Sequence, residues 1–136
     1  MDWKKLQNGS DIRGVALEGI EGENVNLTEE VTSILAQAFV RWLGEKNGKT
    51  QQTIAIGSDS RLSSPTLRDA FSAGASAMGA KVLNFGMAST PAMFMATVDE
   101  SLKADGTVMV TASHLPWNRN GLKFFTAKGG LEKADI

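Results

Sequence analysis

The chain has 136 residues, no cysteine and a formal net charge of −1. This length suffices for one compact domain with a hydrophobic core, and the absence of cysteine excludes a disulfide scaffold and thiolate metal sites. The nearly balanced charge gives no sign of binding to nucleic acid or to an anionic membrane. No apolar run approaches the roughly 18 residues of a membrane helix, and the first residues lack the apolar core of a signal peptide. We therefore expect a cytoplasmic domain.

The first predicted helix covers residues 28–47. Thr28 can cap its first turn, and Glu29 and Glu30 suit the positive end of the helix dipole. Apolar residues recur at helical spacing along the segment, and Gly48 is a typical stop signal. A short apolar run at residues 53–57 then predicts a buried strand.

Strands and helices continue to alternate after this point. Ser64 and Pro65 predict a second helix with serine as its cap, and Thr90 with Pro91 predict a third helix over residues 92–102. Further strands are predicted at residues 81–85, 107–110 and 122–125. This order favours an α/β fold, a three-layer α/β/α arrangement around a mainly parallel, mixed sheet of about four strands. Two polar loops, residues 57–64 and 111–121, would lie at the carboxyl ends of the strands, where such sheets bind ligands.

The second of these loops contains the densest group of reactive side chains. Ser113 has a hydroxyl group that can be phosphorylated, His114 beside it is the only histidine, and Lys123 brings a cation back toward the loop. A phosphoserine carries nearly two negative charges and needs cations and hydrogen-bond donors around it. The same residues also fit an ordinary polar loop with a capping serine, so spacing alone does not decide between the two interpretations.

This loop resembles the active-site signature of the α-D-phosphohexomutases, T-[AS]-S-H-x-P-x-x-x-N-G-x-K. The matching residues are Thr111, Ala112, Ser113, His114, Pro116, Asn120, Gly121 and Lys123. Leu115 stands where the family most often has asparagine. Three further segments resemble family motifs in the same order: residues 11–14 (D-I-R-G), 57–65 (G-x-D-x-R-x-S-S-P) and 86–92 (G-x-x-x-T-P-A).

The resemblance implies a phosphoryl-transfer mechanism with Ser113 as the covalent carrier. The phosphoserine would pass its phosphoryl group to a hexose monophosphate and recover the other phosphate of the resulting bisphosphate, which moves phosphate between C1 and C6. The family pattern implies that Lys123, Arg13 and His114 are catalytic. His114 would either donate a hydrogen bond to the phosphoserine or orient the loop. Substrate contacts are implied for Ser10, Arg13, Asn120 and Lys123.

The resemblance also implies a metal cofactor, an activator and further domains. Mg²⁺ would bind an oxygen of the phosphate on Ser113, with its other ligands in a second domain, and a hexose 1,6-bisphosphate would act as activator. Residues 1–136 would form a single domain, the N-terminal, phosphoserine-bearing part of a longer multi-domain enzyme. Its partners would be the remaining domains of the same chain and the hexose phosphate, and we expect the domain alone to be inactive. Thr111 favours glucose or mannose phosphates over glucosamine phosphate.

Other interpretations of the same residues remain open. Asp59 and Arg61 are predicted to form a structural ion pair that steadies a loop. A non-catalytic module that binds a sugar phosphate or a partner protein is the main alternative to an enzyme. A serine hydrolase is disfavoured because Ser113 lacks the G-x-S-x-G nucleophile elbow.

Overall fold

The computed structural model describes residues 3–8, 11–19, 22, 24–48, 50–87, 104–111, 116–126 and 129–130. A 3₁₀ turn, Trp3–Leu6, comes first in the chain. The strands are β1 (Gln7–Asn8), β2 (Asp11–Val15), β3 (Thr53–Ser58), β4 (Lys81–Met87), β5 (Gly106–Val110), β6 (Arg119–Thr126) and β7 (Gly129–Gly130), and the helices are α1 (Glu29–Asn47) and α2 (Ser64–Ala77). Within these ranges no helix has the length and apolar character needed to span a membrane.

Helix α1 begins and ends at the predicted residues. The hydroxyl of Thr28 accepts a hydrogen bond from the Val31 N–H at 3.1 Å, which satisfies one of the free donors of the first turn. At the other end Gly48 adopts a left-handed conformation, with φ of 71°, and its N–H bonds to the carbonyl of Gly44. A residue with a side chain would be strained there, so glycine suits this cap.

Helix α2 differs from the prediction at its first residue. The N-cap is Ser63, whose side chain makes no capping bond, and Ser64 is already helical. The hydroxyl of Ser64 instead donates to the carboxylate of Asp59. Ser64 therefore connects the helix to the preceding loop and does not serve as the predicted cap.

All strands join one mixed sheet in the order β1-β2-β6-β5-β3-β4, with β7 paired to β6. Strand β3 pairs in parallel with β4 and β5, whereas β6 runs antiparallel to β2, β5 and β7, and β1 antiparallel to β2. The α/β class and the mixed sheet are confirmed, but the described strands are not mainly parallel, since two of their six pairings are parallel and four are antiparallel. The four predicted strands are present, β6 starts earlier than predicted, and β1, β2 and β7 extend the sheet beyond them.

The main core lies between the sheet and the two helices. Residues at alternate positions of the central strands point to this side and join the core with residues of both helices, among them Ile54, Ile56, Val108, Val110, Leu122, Phe39 and Phe71. A smaller buried cluster, Ala55, Ala104, Met109 and Phe125, lies on the opposite face. The predicted helix at residues 92–102, which would add the third layer, lies outside the described residues.

The topology places two loops at one edge of the sheet. Strands β3 and β5 are parallel neighbours, so the loops that follow Ser58 and Val110 leave the sheet side by side. Strand β6 begins at this same edge, where Val110 pairs with Leu122. The loop between β3 and α2 is therefore next to the serine-bearing loop between β5 and β6.

Candidate active site

Asp59 connects these two loops. Its carboxylate accepts hydrogen bonds from the Thr111 hydroxyl at 2.7 Å, the Ser64 hydroxyl at 2.8 Å and the Arg61 N–H at 3.1 Å. Its own N–H donates to the carbonyl of Val110 at 3.1 Å. Hydrogen bonds to an ionised carboxylate are among the stronger ones in proteins. Asp59 thus fixes the first residue of the serine-bearing loop.

Arg61 holds the other end of that loop. Its Nη1 donates to the carbonyl of Pro116 at 2.8 Å and to that of Arg119 at 3.2 Å. Its Nε lies 3.4 Å from Asp59 Oδ2, which is an ion-pair distance without hydrogen-bond geometry. The structure therefore contains the predicted Asp59–Arg61 ion pair, and the loop it contacts is the serine-bearing one.

Asn120 adds a third link between the two loops. Its amide nitrogen donates to the hydroxyls of Ser63 and Ser64 at 2.8 and 3.0 Å, and its amide oxygen accepts from the Gly121 N–H. The residue is fully buried. Asn120 is a predicted substrate contact, and that stays a prediction; in this structure its amide joins the two loops.

The start of the chain also contacts the end of the serine-bearing loop. The carbonyl of Asn118 accepts hydrogen bonds from the N–H groups of Ala16 and Leu17 at 2.7 and 3.0 Å. These two residues directly follow β2, the strand that carries the D-I-R-G motif. The loop therefore has contacts on two sides, one from the β3–α2 loop and one from the segment after β2.

Arg13 and Lys123, two predicted catalytic residues, lie side by side around Asp11. Lys123 Nζ is 3.2 and 3.1 Å from the two carboxylate oxygens of Asp11, and Arg13 Nη2 is 3.2 Å from Oδ2. The three side chains project from neighbouring strands β2 and β6 on the face opposite α1 and α2, because Ile12 and Leu122, with which they alternate, point into the main core. The Asp11 side chain is 10% exposed, and those of Arg13 and Lys123 are 23% and 34% exposed. The cations are thus accessible and the carboxylate is nearly buried.

The charge of this group suits an anionic ligand. Two cations share one carboxylate, which leaves a net positive charge on a partly exposed surface. Arg13 Nε is buried and makes no hydrogen bond with the described residues. Positive charge and available N–H donors are what a phosphoryl group requires.

Three predicted site residues, Ser10, Ser113 and His114, lie outside the described residues. The described residues on either side of Ser113 are Thr111 and Pro116, which are held by Asp59 and Arg61. Four positions separate these two anchors.

The described residues contain no group of three or more His, Cys, Asp or Glu side chains that could hold a metal ion. The two carboxylates of the site, Asp11 and Asp59, are each bonded to cations or hydroxyl groups of the domain. The described part of the domain therefore does not form a magnesium site by itself.

Asp11 is the functional residue that the sequence analysis did not single out. The D-I-R-G motif alone does not predict a strand, so the sequence does not place Asp11 beside Lys123. Asp11 and Arg13 are separated by one residue, which puts both on one face of any strand, and this spacing was the available signal.

Comparisons with known proteins agree with these features. A family model described as "Phosphoglucomutase/phosphomannomutase, alpha/beta/alpha domain I" matches residues 4–135. The chain is 36% identical over 126 residues to a phosphoglucosamine mutase of Citrifermentans bemidjiense, and 38% identical over 127 residues to one of Pelobacter propionicus. Each alignment covers 93% of this chain and 26% of the relative.

A solved structure has the same fold. The phosphoglucomutase/phosphomannomutase family protein from Burkholderia thailandensis superposes with a TM-score of 0.70 at 28% identity, over 94% of this chain and 26% of that one. The chain thus spans about a quarter of the length of the proteins it matches. The family match extends over nearly every residue, and so the chain belongs to the phosphoglucomutase/phosphomannomutase family, in which it corresponds to the alpha/beta/alpha domain I.

Proposed function

We propose that this domain supplies the phosphoryl-carrying serine, Ser113, of an enzyme that interconverts hexose 1-phosphate and hexose 6-phosphate. The observation that carries the proposal is the group formed by Arg13, Lys123 and Asp11, with both cations accessible near the anchored ends of the serine-bearing loop. Anchored loop ends with cations nearby suit phosphoryl transfer, in which catalysis is mostly positioning and electrostatics.

The transfer breaks and forms one bond to phosphorus in each half-reaction. The bond between Ser113 Oγ and phosphorus breaks while a bond from phosphorus to the free hydroxyl oxygen of the sugar phosphate forms. The sugar hydroxyl gives up its proton as its bond to phosphorus forms, and Ser113 Oγ takes up a proton as it leaves phosphorus, so this half-reaction moves one proton from the sugar to the serine and releases none. The reverse transfer, from the other phosphate of the bisphosphate, restores the phosphoserine and releases the isomerised product.

Arg13 and Lys123 have complementary tasks in this proposal. An arginine stays charged and donates in a fixed planar geometry, so Arg13 stabilises the charge on the transferring oxygens. A lysine can also give up a proton, so Lys123 is the candidate for moving the hydroxyl proton as well as for binding phosphate. Ser10 and His114 stay predicted participants on the basis of the family pattern.

The identity of the hexose in the substrate is a separate question from the reaction type. Thr111 was expected to favour glucose or mannose phosphates, but the curated relatives described above are named phosphoglucosamine mutases. In this structure the hydroxyl of Thr111 donates to Asp59, inside the domain. Glucosamine phosphate therefore joins glucose and mannose phosphates as a candidate substrate.

Magnesium is proposed as the cofactor and a hexose 1,6-bisphosphate as the activator, with the other metal ligands on a further domain. When bound to the phosphoserine, the ion would neutralise part of its charge. The described residues of this domain contribute Arg13 and Lys123 to the same task.

The test uses the complete protein that carries this domain. It is incubated with Mg²⁺ and the 1,6-bisphosphate of glucose, mannose or glucosamine, and its phosphopeptides are mapped by mass spectrometry. We expect phosphate on Ser113 that disappears when excess hexose monophosphate is added, and none in the Ser113→Ala variant. Wild-type protein that takes no phosphate on Ser113 from any of the three sugars contradicts the proposal and favours a non-catalytic sugar-phosphate-binding module.

A further inference from the structure

The two ends of the serine-bearing loop are held by one short segment of the chain. Thr111, before the loop, donates to Asp59, and the carbonyl of Pro116, after it, accepts from Arg61. Asp59 and Arg61 are themselves paired, with 3.4 Å between Nε and Oδ2. An ion pair outside the loop therefore contacts both of its ends.

Arg61 makes the contacts that close this arrangement. Its side chain is 12% exposed, so most of it is removed from water. Nη1 bonds to the carbonyls of Pro116 and Arg119, and Nε faces Asp59. Hydrogen bonds from a charged guanidinium group are stronger than those between neutral groups.

Arginine suits position 61 better than lysine does. The guanidinium group is planar and rigid, so Nη1 can bond to two carbonyls while Nε stays at ion-pair distance from the carboxylate. A lysine ammonium is a single point on a flexible stem and cannot occupy both places at once. A Lys replacement keeps the charge and removes the bridging geometry.

We propose that Arg61 is a positioning residue for phosphoryl transfer, which acts by bridging Asp59 to the Pro116 and Arg119 carbonyls and so fixes the loop that carries Ser113. The inference rests on the proposed function, since it presumes that Ser113 carries the phosphoryl group. Arg61 bonds to carbonyls of its own chain, and its effect on the reaction passes through the placement of the serine.

The size of the effect follows from the geometry of catalysis. A misplacement of about 1 Å of a reacting group can cost on the order of 100-fold in rate. Binding of the sugar phosphate should change less, because Arg13 and Lys123 project from the paired strands β2 and β6, whose pairing does not involve Arg61. Arg61→Lys should therefore lower kcat by about 10- to 100-fold and leave KM within roughly 2-fold.

The experiment compares wild type, Arg61→Lys and Arg61→Gln in the complete protein, with Arg41→Gln as the control. Arg41 is an exposed arginine on α1, paired with Glu45, and its side chain is 77% exposed. Steady-state kinetics are combined with the single-turnover rate of Ser113 phosphorylation, at a temperature well below every unfolding midpoint. Hydrogen–deuterium exchange of the peptide over residues 111–121 reports on the loop directly.

We expect both Arg61 variants to exchange faster over residues 111–121 and to transfer phosphate more slowly at little-changed KM, while Arg41→Gln behaves as wild type. The inference is overturned if Arg61→Lys transfers phosphate at the wild-type rate, if exchange over the loop is unchanged, or if the lost kcat returns fully on cooling. Wild-type protein that is not phosphorylated on Ser113 would instead remove the proposed function, and this inference with it.

Discussion

Arg13 on β2 is paired with Gly121 on the neighbouring antiparallel strand β6. A Cβ atom at position 121 would lie 2.9 Å from Arg13 Cγ, 2.5 Å from the carbonyl oxygen of Ile12 and 2.9 Å from that of Thr111. Two of these three neighbours are backbone atoms, which cannot rotate away. Glycine at position 121 of this chain therefore allows the strand to approach both Arg13 and the start of the serine-bearing loop.

Gly121→Ala should disturb the site as well as the stability of the domain. We expect a loss of about 1–3 kcal/mol in the free energy of unfolding, because overpacking forces neighbouring groups to shift. The displaced groups would include Arg13, so Ser113 phosphorylation in the complete protein should slow by about 10-fold or more. Urea unfolding and the single-turnover phosphorylation rate measure the two effects.

Gly106→Ala is the matched control. A Cβ at position 106 would meet Phe39 Cζ at 2.8 Å and Leu43 Cδ1 at 2.9 Å, which are side chains of α1 in the core, away from the site. This variant should be destabilised by a similar amount, about 1–3 kcal/mol, yet keep the wild-type phosphorylation rate. Equal slowing in both variants would mean that Gly121 matters through stability alone.

Asp11→Asn should leave Arg13 and Lys123 without the anion between them. The amide keeps the shape of the side chain but removes its charge, so the two cations repel each other. We expect the free energy of unfolding to fall by about 1–2 kcal/mol, with a smaller loss at high salt, where the repulsion is screened. Glu45→Gln, which breaks an exposed pair with Arg41, should cost less than about 0.5 kcal/mol and is the control. A loss no larger than that of the control would contradict this account of Asp11.

The Asp59–Thr111 hydrogen bond can be measured by a double-mutant cycle. Its 2.7 Å length and its ionised acceptor indicate a coupling of about 1–2 kcal/mol between Asp59→Asn and Thr111→Val in the free energy of unfolding. Ser58 is a useful contrast, because its hydroxyl bonds to Arg68 and Gly86 and not to Asp59. The cycle between Asp59→Asn and Ser58→Ala should therefore give a much smaller coupling, and equal couplings would argue against a direct link between Asp59 and Thr111.

Local signals in the sequence predicted several elements well. The caps of α1 depend on Thr28 and Gly48 alone, so the pattern located both ends of the helix. The buried strand β3 was predicted by its unbroken apolar run, to within one residue of its observed end. These elements need no knowledge of distant parts of the chain.

Elements defined by long-range pairing could not be predicted in the same way. Strand β2 contains Asp11, Arg13 and Gly14, which break any apolar alternation, and it forms a strand because β6 pairs with it. Strand β6 starts at Arg119. Asn120 and Gly121 are typical turn residues, so the sequence pattern did not predict the start of this strand. The cluster of Asp11, Arg13 and Lys123 exists because these two strands meet. The resemblance to a family pointed to Arg13 and Lys123, and neither it nor the periodicity pointed to Asp11.

Gly74 lies on α2 where this helix packs closely against α1. Its replacement therefore measures how close the two helices must be. A Cβ at this position would lie 2.3 Å from the backbone carbonyl oxygen of Ser33 on α1, and that atom belongs to a helix that must move as a whole. Alanine is favoured over glycine within helices by about 1 kcal/mol, yet we expect Gly74→Ala to lower the free energy of unfolding by roughly 3 kcal/mol, because α1 and α2 must separate. Ser76→Ala, at an exposed position of the same helix, should be neutral or slightly stabilising. If urea unfolding shows both variants to be at least as stable as wild type, the helices do not pack through Gly74 as described.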